Sequence, residues 1–227
     1  SFHDHKMAFK KIIGDYPWKM AQVQMNILDK NNQATLDGVR KYAAAVGIGV
    51  VVMEPLRGGA LVSGVPDEVR ALYDGASVRR EPVEWAFRWL YDKQEFVTIL
   101  SGMSDMRQLD QNLEIFKDTS AGCMTGAEKK LIRKVRQAYE RRIRVGCTGC
   151  EYCMPCPAGV NIPGVFRPLD EASMFDRLDG YAAHYLRMMG NKADGGRCVK
   201  CGKCEKARPQ HIEIRDRLKE IHKEYAK

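Results

Sequence analysis

The spacing of apolar residues changes period several times along the first half of the chain. Met7, Phe9, Ile12 and Ile13 share one side of a short predicted helix, which Gly14 is expected to end. Over residues 21–28 the pattern becomes an alternation, with Val23, Met25 and Ile27 on one face and Gln22, Gln24 and Asn26 on the other. That predicts a strand whose polar face carries amides. Leu36, Val39, Ala43 and Val46 return to helical spacing until Gly47 stops them. The run Ile48-Gly49-Val50-Val51-Val52-Met53 is continuously apolar and rich in β-branched residues, as expected of a strand buried on both faces of a parallel sheet. Pro55, Gly58 and Gly59 then break it.

Two helices are expected next, over residues 67–73 and 83–91, the second opened by Pro82, whose fixed φ suits a first turn. Residues 96–100 read as a third strand, ended by Ser101-Gly102. Residues 105–116 read as a helix with Met106, Leu109, Leu113 and Phe116 along its apolar face. The order β, α, β, α, α, β, α points to parallel strands joined by helical crossovers. After Gly126 a long amphipathic helix carries Leu131, Ile132, Val135 and Tyr139 inward. Beyond it only helices are expected, two within residues 163–189 and one over 216–225. The chain therefore divides into a β/α region (1–120), a connecting helix (121–145) and a helical, cysteine-bearing region (146–227).

The candidate chemistry lies in that last region. Cys147, Cys150, Cys153 and Cys156 follow one another at two-residue intervals and are closed by Pro157, and Cys198, Cys201 and Cys204 repeat the spacing. Three thiolates so spaced wrap one face of an iron–sulfur cube, and in bacterial ferredoxins a following Cys-Pro ligates the other cluster. Structural zinc, the competing assignment, uses cysteine pairs in two knuckles, so a third cysteine per tract is surplus to it. Disulfides are a weaker alternative, because the N-terminus has no signal-peptide pattern and the tracts are too closely spaced to pair sensibly. Reduced thiols imply a reducing compartment, most simply the cytoplasm. Cys123, outside both tracts, is expected to be a buried or free thiol.

The second tract departs from the ferredoxin pattern. Arg208 precedes Pro209 where a cysteine is expected, and a guanidinium, which only donates, cannot ligate iron. With ligands crossed between tracts, Cys156 completes Cys198, Cys201 and Cys204 as one 4Fe-4S set. Cys147, Cys150 and Cys153 are left with no fourth cysteine. Their site then holds a 3Fe-4S cluster, a 4Fe-4S cluster with a non-protein ligand at its open corner, or nothing.

Composition changes little of this. Hydrophobic content of 44% is enough for a core, and no apolar run approaches the length of a membrane span, so no membrane partner is expected. The formal charge of +8 is not gathered in one block: Lys129, Lys130, Arg133, Lys134 and Arg136 read as the wet side of the amphipathic helix. No nucleic-acid motif accompanies it, and no nucleic-acid partner is expected. Attraction to a phosphorylated cofactor or to an acidic electron carrier is compatible with the sign.

Five stretches together resemble the aldo/keto reductase family, in the branch with a C-terminal ferredoxin-type domain. They are Ser1-Phe2-His3-Asp4, Gln22-Val23-Gln24-Met25-Asn26, the segment from Met53 through Gly58-Gly59 to Leu61, Ser101-Gly102-Met103-Ser104 through Asn112, and the cysteine module over 146–163. The resemblance implies an α/β fold: the C-terminal half of a (β/α)8 TIM-type barrel, followed by an α-helical ferredoxin-like dicluster domain. It implies an oxidoreductase that moves hydride between NADP(H) and a carbonyl or alcohol, with an iron–sulfur electron-transfer domain. On that basis Ser1 and Gln22 fall where the nicotinamide carboxamide is held, and Met53 where an aromatic ring often stacks. Leu56, Gly58, Gly59 and Leu61 fall around the pyrophosphate. Ser101, Gly102, Met103, Ser104 and Arg107 fall at the adenosine and 2′-phosphate, with Arg107 as the phosphate fork, and Gln111 and Asn112 near the adenine. His3 has the best claim among the histidines to a site mouth.

The family's catalytic aspartate, tyrosine, lysine and histidine come from the barrel half that would precede Ser1, so no catalytic residue is assigned, and the chain is either a fragment or a half-barrel put to another use. Half a barrel would expose strand edges, which predicts burial against a second copy or the missing half. A redox protein is the other expected partner. The alternative function is a non-catalytic iron–sulfur electron-transfer or assembly module.

Overall fold

A computed structural model describes residues 1–206 and 212–227, so the expectation placed on Arg208 lies outside the described residues. The chain forms two compact units, Ser1–Ala138 and Tyr139–Lys227.

The first unit opens with Phe2, whose N–H bonds the Gln22 carbonyl (2.8 Å) and which bridges Val23 in parallel. Helix α1 (Lys6–Asp15) starts where the His5 ring accepts from Ala8 N–H, and it runs through Gly14 to Asp15. Strand β1 (Met20–Gln24) is shorter than its alternation suggests. The cause is Asn26, whose side-chain oxygen accepts from the N–H groups of Leu28 (3.0 Å) and Asp29 (2.9 Å) and turns the chain out of the sheet. Val23, Met25 and Ile27 are nonetheless all buried. The next helical stretch begins as α2 (Leu36–Gly38), continues as a π turn (Val39–Ala43) and tightens to a 3-10 turn (Ala44–Val46), until Gly47 at φ 75° ends it.

Strand β2 (Gly49–Met53) lies between β1 and β3 (Phe96–Ile99), parallel to both, with Val50, Val51 and Val52 buried. Register pairs Val23 with Val52 and Gln24 with Met53, and shifts between Val50 and Val51 on the β3 side. Helices α3 (Asp67–Asp74) and α4 (Pro82–Tyr91) connect β2 to β3. Most of α4 is interior: Val83, Trp85, Ala86, Phe87, Trp89 and Leu90 are buried, with Trp85 stacked on Tyr73.

Helix α5 (Met106–Lys117) does not bury the face its apolar spacing suggests. Met106 and Leu113 are 67% and 61% exposed, while Asn112 and Ile115 turn inward, Ile115 against Val83 and Phe87. Helix α6 (Gly126–Arg141) buries Ile132, Val135 and Tyr139 as expected, together with Ala138, while Leu131 is only half-buried. Arg136 is not on its wet side. It is buried, donates to the Ile27 carbonyl at 2.5 Å and stacks over Trp89.

The second unit is helical: α7 (Ile162–Met174), α8 (Leu178–Gly190), α9 (Lys203–Lys206) and α10 (Ile214–Tyr225), with a 3-10 turn at Gly195–Arg197. Its core is built from Val160, Ile162, Val165, Phe166 and Leu169 with Tyr181, Tyr185, Ile214, Leu218 and Ile221. Pro168, inside α7, has no N–H for the Gly164 carbonyl four residues back, and the His184 ring meets that oxygen instead (3.0 Å). Tyr185 receives the Gly195 N–H (3.1 Å) and contacts His222 Nδ1 (3.1 Å), tying the 3-10 turn to α8 and α10.

Candidate functional site

In the first unit, one cavity of about 600 Å³ lies beyond the C-terminal ends of β2 and β3. Its floor is the segment after β2, where Glu54, Arg57, Gly58 and Gly59 all have positive φ. The backbone, not crowding, asks for glycine at 58 and 59: a Cβ on either would meet nothing within 4 Å. Beneath this loop a polar network fixes its path. Asn26 donates to the Glu54 carbonyl (3.0 Å) and to Asp29 (2.8 Å), and Asp29 also receives Gln24 (2.9 Å) and Arg57 (3.0 Å). The opposite wall is the segment after β3 and the start of α5, where Asn112 donates to Ser101 Oγ (2.9 Å).

Leu56, Gly58, Gly59, Ser101, Gly102, Met103, Ser104, Gln111 and Asn112 are brought together on this cavity, with Met53 at its edge. Ser1, Gln22, Leu61 and Arg107 are not among the lining residues. Ser1 is exposed and bonds His3 (3.1 Å), Gln22 donates to the Met53 sulfur (3.3 Å), and Leu61 is buried in the core. Arg107 is 89% exposed and 3.9 Å from Asp105. Glu54 and Gln108 line the cavity without having been singled out. The signal for Gln108 was Asp105-Met106-Arg107-Gln108, an N-cap acid followed three residues later by glutamine.

In the second unit the cysteine loops pack on the core described above. All eight cysteines are free of disulfides. Cys153 is buried and Cys147, Cys156, Cys198 and Cys204 are half-buried, whereas Cys150 and Cys201 are exposed. Cys153, Cys156, Cys198, Cys201 and Cys204 line one cavity of about 170 Å³, between Pro155, Ile162 and Leu218. Cys147 and Cys150 do not reach it. Among the described residues no three His, Cys, Asp or Glu side chains form a group able to hold a single metal ion. Burial, with the Glu205 carboxylate and Cys198 nearby, pushes the Cys204 thiol above its ordinary pKa.

The two tracts share a backbone pattern. The residues before and after the middle cysteine have positive φ in both: Gly149 (70°) and Glu151 (62°) around Cys150, Lys200 (55°) and Gly202 (74°) around Cys201. Alternating left-handed residues turn successive N–H groups toward one concave side, a form that suits anionic sulfur. Lys200 and Glu151 hold this shape without being glycine, at a conformational cost of roughly 1 kcal/mol each.

The first tract is anchored by a residue that sequence reasoning passed over. Asp170, on α7 and 7% exposed, accepts from four consecutive N–H groups: Arg144 (3.0 Å), Val145 (2.7 Å), Gly146 (3.0 Å) and Cys147 (2.9 Å). The available signal was an acid four residues after Phe166, on the apolar stripe of its helix. Cys123 donates to the Arg88 carbonyl (3.7 Å), as a packing thiol. Among the described residues no helix is long and apolar enough to cross a membrane.

The first unit is a parallel β/α unit with a glycine-floored cavity after its strands, and the second is a helical unit with paired cysteine tracts. The family model described as "Aldo/keto reductase family" matches residues 6–121, just over half of the chain, and "4Fe-4S dicluster domain" matches residues 146–212. The chain belongs to the aldo/keto reductase family and carries a 4Fe-4S dicluster domain. No curated protein matches it. Among solved structures it is similar to the aldo-keto reductase AKR11C1 from Bacillus halodurans, in holo and apo forms. Both are 20% identical, with TM-scores of 0.47 and 0.46, covering 58% of this chain and 47% and 48% of theirs. The chain thus spans about half the length of the solved structures it matches.

Proposed function

We propose that this chain is the dinucleotide-binding and iron–sulfur portion of an aldo/keto-reductase-type oxidoreductase. The observation that carries the iron–sulfur part is the convergence of Cys153 and Cys156, from the first tract, with Cys198, Cys201 and Cys204 on one cavity. Four of these, Cys156 and the second tract, make the crossed set a dicluster module requires. Three cysteines at two-residue spacing in each tract are surplus to the paired knuckles of tetrahedral zinc, which favours a multi-iron core. The matching positive-φ residues on either side of Cys150 and of Cys201, a backbone form that suits anionic sulfur, support it further.

Under this reading Cys156, Cys198, Cys201 and Cys204 hold one 4Fe-4S cluster, while Cys147, Cys150 and Cys153 hold a second of 3Fe-4S or open-corner 4Fe-4S type. Bound clusters would supply one-electron transfer. The protein's own contribution is to hold the thiolates in place: Asp170 fixes the backbone up to Cys147, and the Asp194–Gly195–Tyr185–His222 contacts fix the backbone before Cys198. Arg215 lines the cavity and pairs with Glu205 beside Cys204.

Residues 1–120 are read as the C-terminal half of a (β/α)8 barrel, 121–145 as a connecting helix and 146–227 as the ferredoxin-type domain. The 600 Å³ cavity, within the usual size range for small-ligand sites, is read as the dinucleotide site. Backbone N–H groups around Gly58 and Gly59 would approach the pyrophosphate. Among the described residues its lining has no tyrosine, lysine or histidine, so the cavity's side chains would bind and orient a cofactor without a proton donor of the family's kind. A second copy or a complementary barrel half would cover the sheet edges, and an acidic redox protein would suit the exposed cations Arg197, Lys200, Lys203 and Lys206 around the second tract.

That lack of a proton donor favours one second reading, a non-catalytic electron-transfer or assembly module. Calorimetric titration of the full chain with NADH and NADPH, each to millimolar concentration, separates the two. Binding heat from at least one is expected, and silence from both leaves the module reading.

A further inference from the structure

We infer that the first unit holds a second ligand site, a cavity against Trp85 that takes a small organic carboxylate with an apolar body. The inference goes beyond the cofactor and cluster readings and rests on neither.

This cavity, of about 240 Å³, lies between the segment after α3 (residues 75–77), Trp85 of α4 and the first turns of α6, all within one unit. It shares no lining residue with the 600 Å³ cavity. Its volume is that of about eight water molecules, room for a ring bearing one acid group but not for a dinucleotide.

Trp85 is the reason to expect a ligand there. It is fully buried, and its indole N–H has no acceptor among the described residues. Tyr73 stacks on its ring (6.1 Å between centroids, 10° between planes) and the Arg80 guanidinium lies over it (4.7 Å), which leaves the ring's edge to the cavity it borders. A buried donor left unpaired is costly, and an oxygen seated in this cavity would pair it.

Charge selects an anion. Lys130 and Lys134, one turn apart on α6, both line the cavity, and among the described residues no carboxylate pairs with either. Glu128 is the one acid on the wall, and its oxygens are spent: one meets the Arg80 guanidinium, and the other accepts the Thr125 N–H (2.6 Å). Arg80 and Arg88 balance Glu84 and Glu128 in one chain of pairs, so the two lysines remain as net positive charge. The end of α3 and the start of α6 both abut the cavity with opposed dipoles, which leaves its sign to the lysines. Ala76, Ala127, Leu131 and the indole make an apolar wall, suited to a hydrocarbon body beneath a carboxylate. Inorganic phosphate would use the lysines and leave that wall wet.

The test is proton–nitrogen NMR of the full chain with isotope-labelled tryptophan, which gives one indole signal for each of its three tryptophans. The Trp85 signal is assigned by its loss in Trp85→Phe or, by elimination, from Trp18→Phe and Trp89→Phe. At constant ionic strength, benzoate should shift that signal and saturate in the millimolar range, while benzamide and inorganic phosphate should each bind at least about tenfold more weakly. Lys130→Ala combined with Lys134→Ala should weaken benzoate at least about fivefold. Lys129→Ala, which removes an ammonium paired with Asp92 (3.0 Å), should leave it within about twofold. No shift of the Trp85 signal at millimolar benzoate overturns the inference. Equal binding of benzamide overturns the anion assignment, and equal binding of phosphate overturns the apolar body. Unchanged benzoate binding in the double variant overturns the role of the lysines.

Discussion

Asp170 offers the sharpest perturbation of the cysteine unit. Its two carboxylate oxygens accept four N–H groups, from Arg144 to Cys147, at 2.7–3.0 Å. In Asp170→Asn one oxygen becomes an NH₂, so two of those N–H groups face a donor. Two charge-assisted bonds at about 1.5–3 kcal/mol each put the local loss at about 3–6 kcal/mol. A loss of about 3 kcal/mol corresponds to a local opening constant roughly a hundredfold larger. Hydrogen exchange read by mass spectrometry on the peptide holding residues 144–147 should therefore quicken by about that factor. The iron content of anaerobically prepared protein should fall, because Cys147 no longer has a fixed backbone. Exchange within about twofold of the parent, with full iron, would refute the claim that this carboxylate organises the first tract.

Three further outcomes follow from particular contacts. Cys156→Ser should lower iron and visible absorbance while Cys123→Ser leaves both unchanged, and equal loss in the two variants would undo the ligand assignment. Lys93 is buried beside Asp92 and over the Trp89 ring (3.8 Å), and burial pushes its pKa down from 10.5 to about 8. Between those values the unfolded chain holds a proton that the folded chain has lost, so stability from this group rises with pH, by about 3 kcal/mol at most. The unfolding midpoint of the parent should accordingly gain on that of Lys93→Met from pH 7.5 to 10.5, within the roughly 8–10.5 window of the two pKa values, and parallel curves would contradict it. A Cβ on Gly196 would lie 2.3 Å from the His222 ring, which Tyr185 and Asp194 hold, so Gly196→Ala should cost about 1–3 kcal/mol in thermal denaturation, and an unchanged midpoint would show that the ring moves freely.

The sheet was legible because Val50, Val51 and Val52 form an uninterrupted β-branched run, and Pro82 announced its helix. What was not legible depended on side chains closing back on the backbone or on contacts distant in sequence. Asn26 ends β1 early by capping its own turn. Gly14 fails to end α1, and Arg136 is drawn inward by the Ile27 carbonyl despite a solvent-facing pattern. In α5 the apolar spacing pointed to Met106 and Leu113, but the helix presents Asn112 to the cavity and Ile115 to α4. The cysteine tracts were readable because their two-residue spacing is a purely local pattern. Asp170 was not, since its partners lie more than twenty residues away.

The central claim is that the C-terminal cysteines hold iron and sulfide in front of which the reductase scaffold sits in the chain. Iron and acid-labile sulfide analysis of the anaerobically purified full chain, with EPR of the oxidised and reduced protein, tests it most directly. The account expects about seven or eight irons per chain with matching sulfide, and a 4Fe-4S signal on reduction. A colourless preparation with zinc in place of iron and no labile sulfide would contradict it.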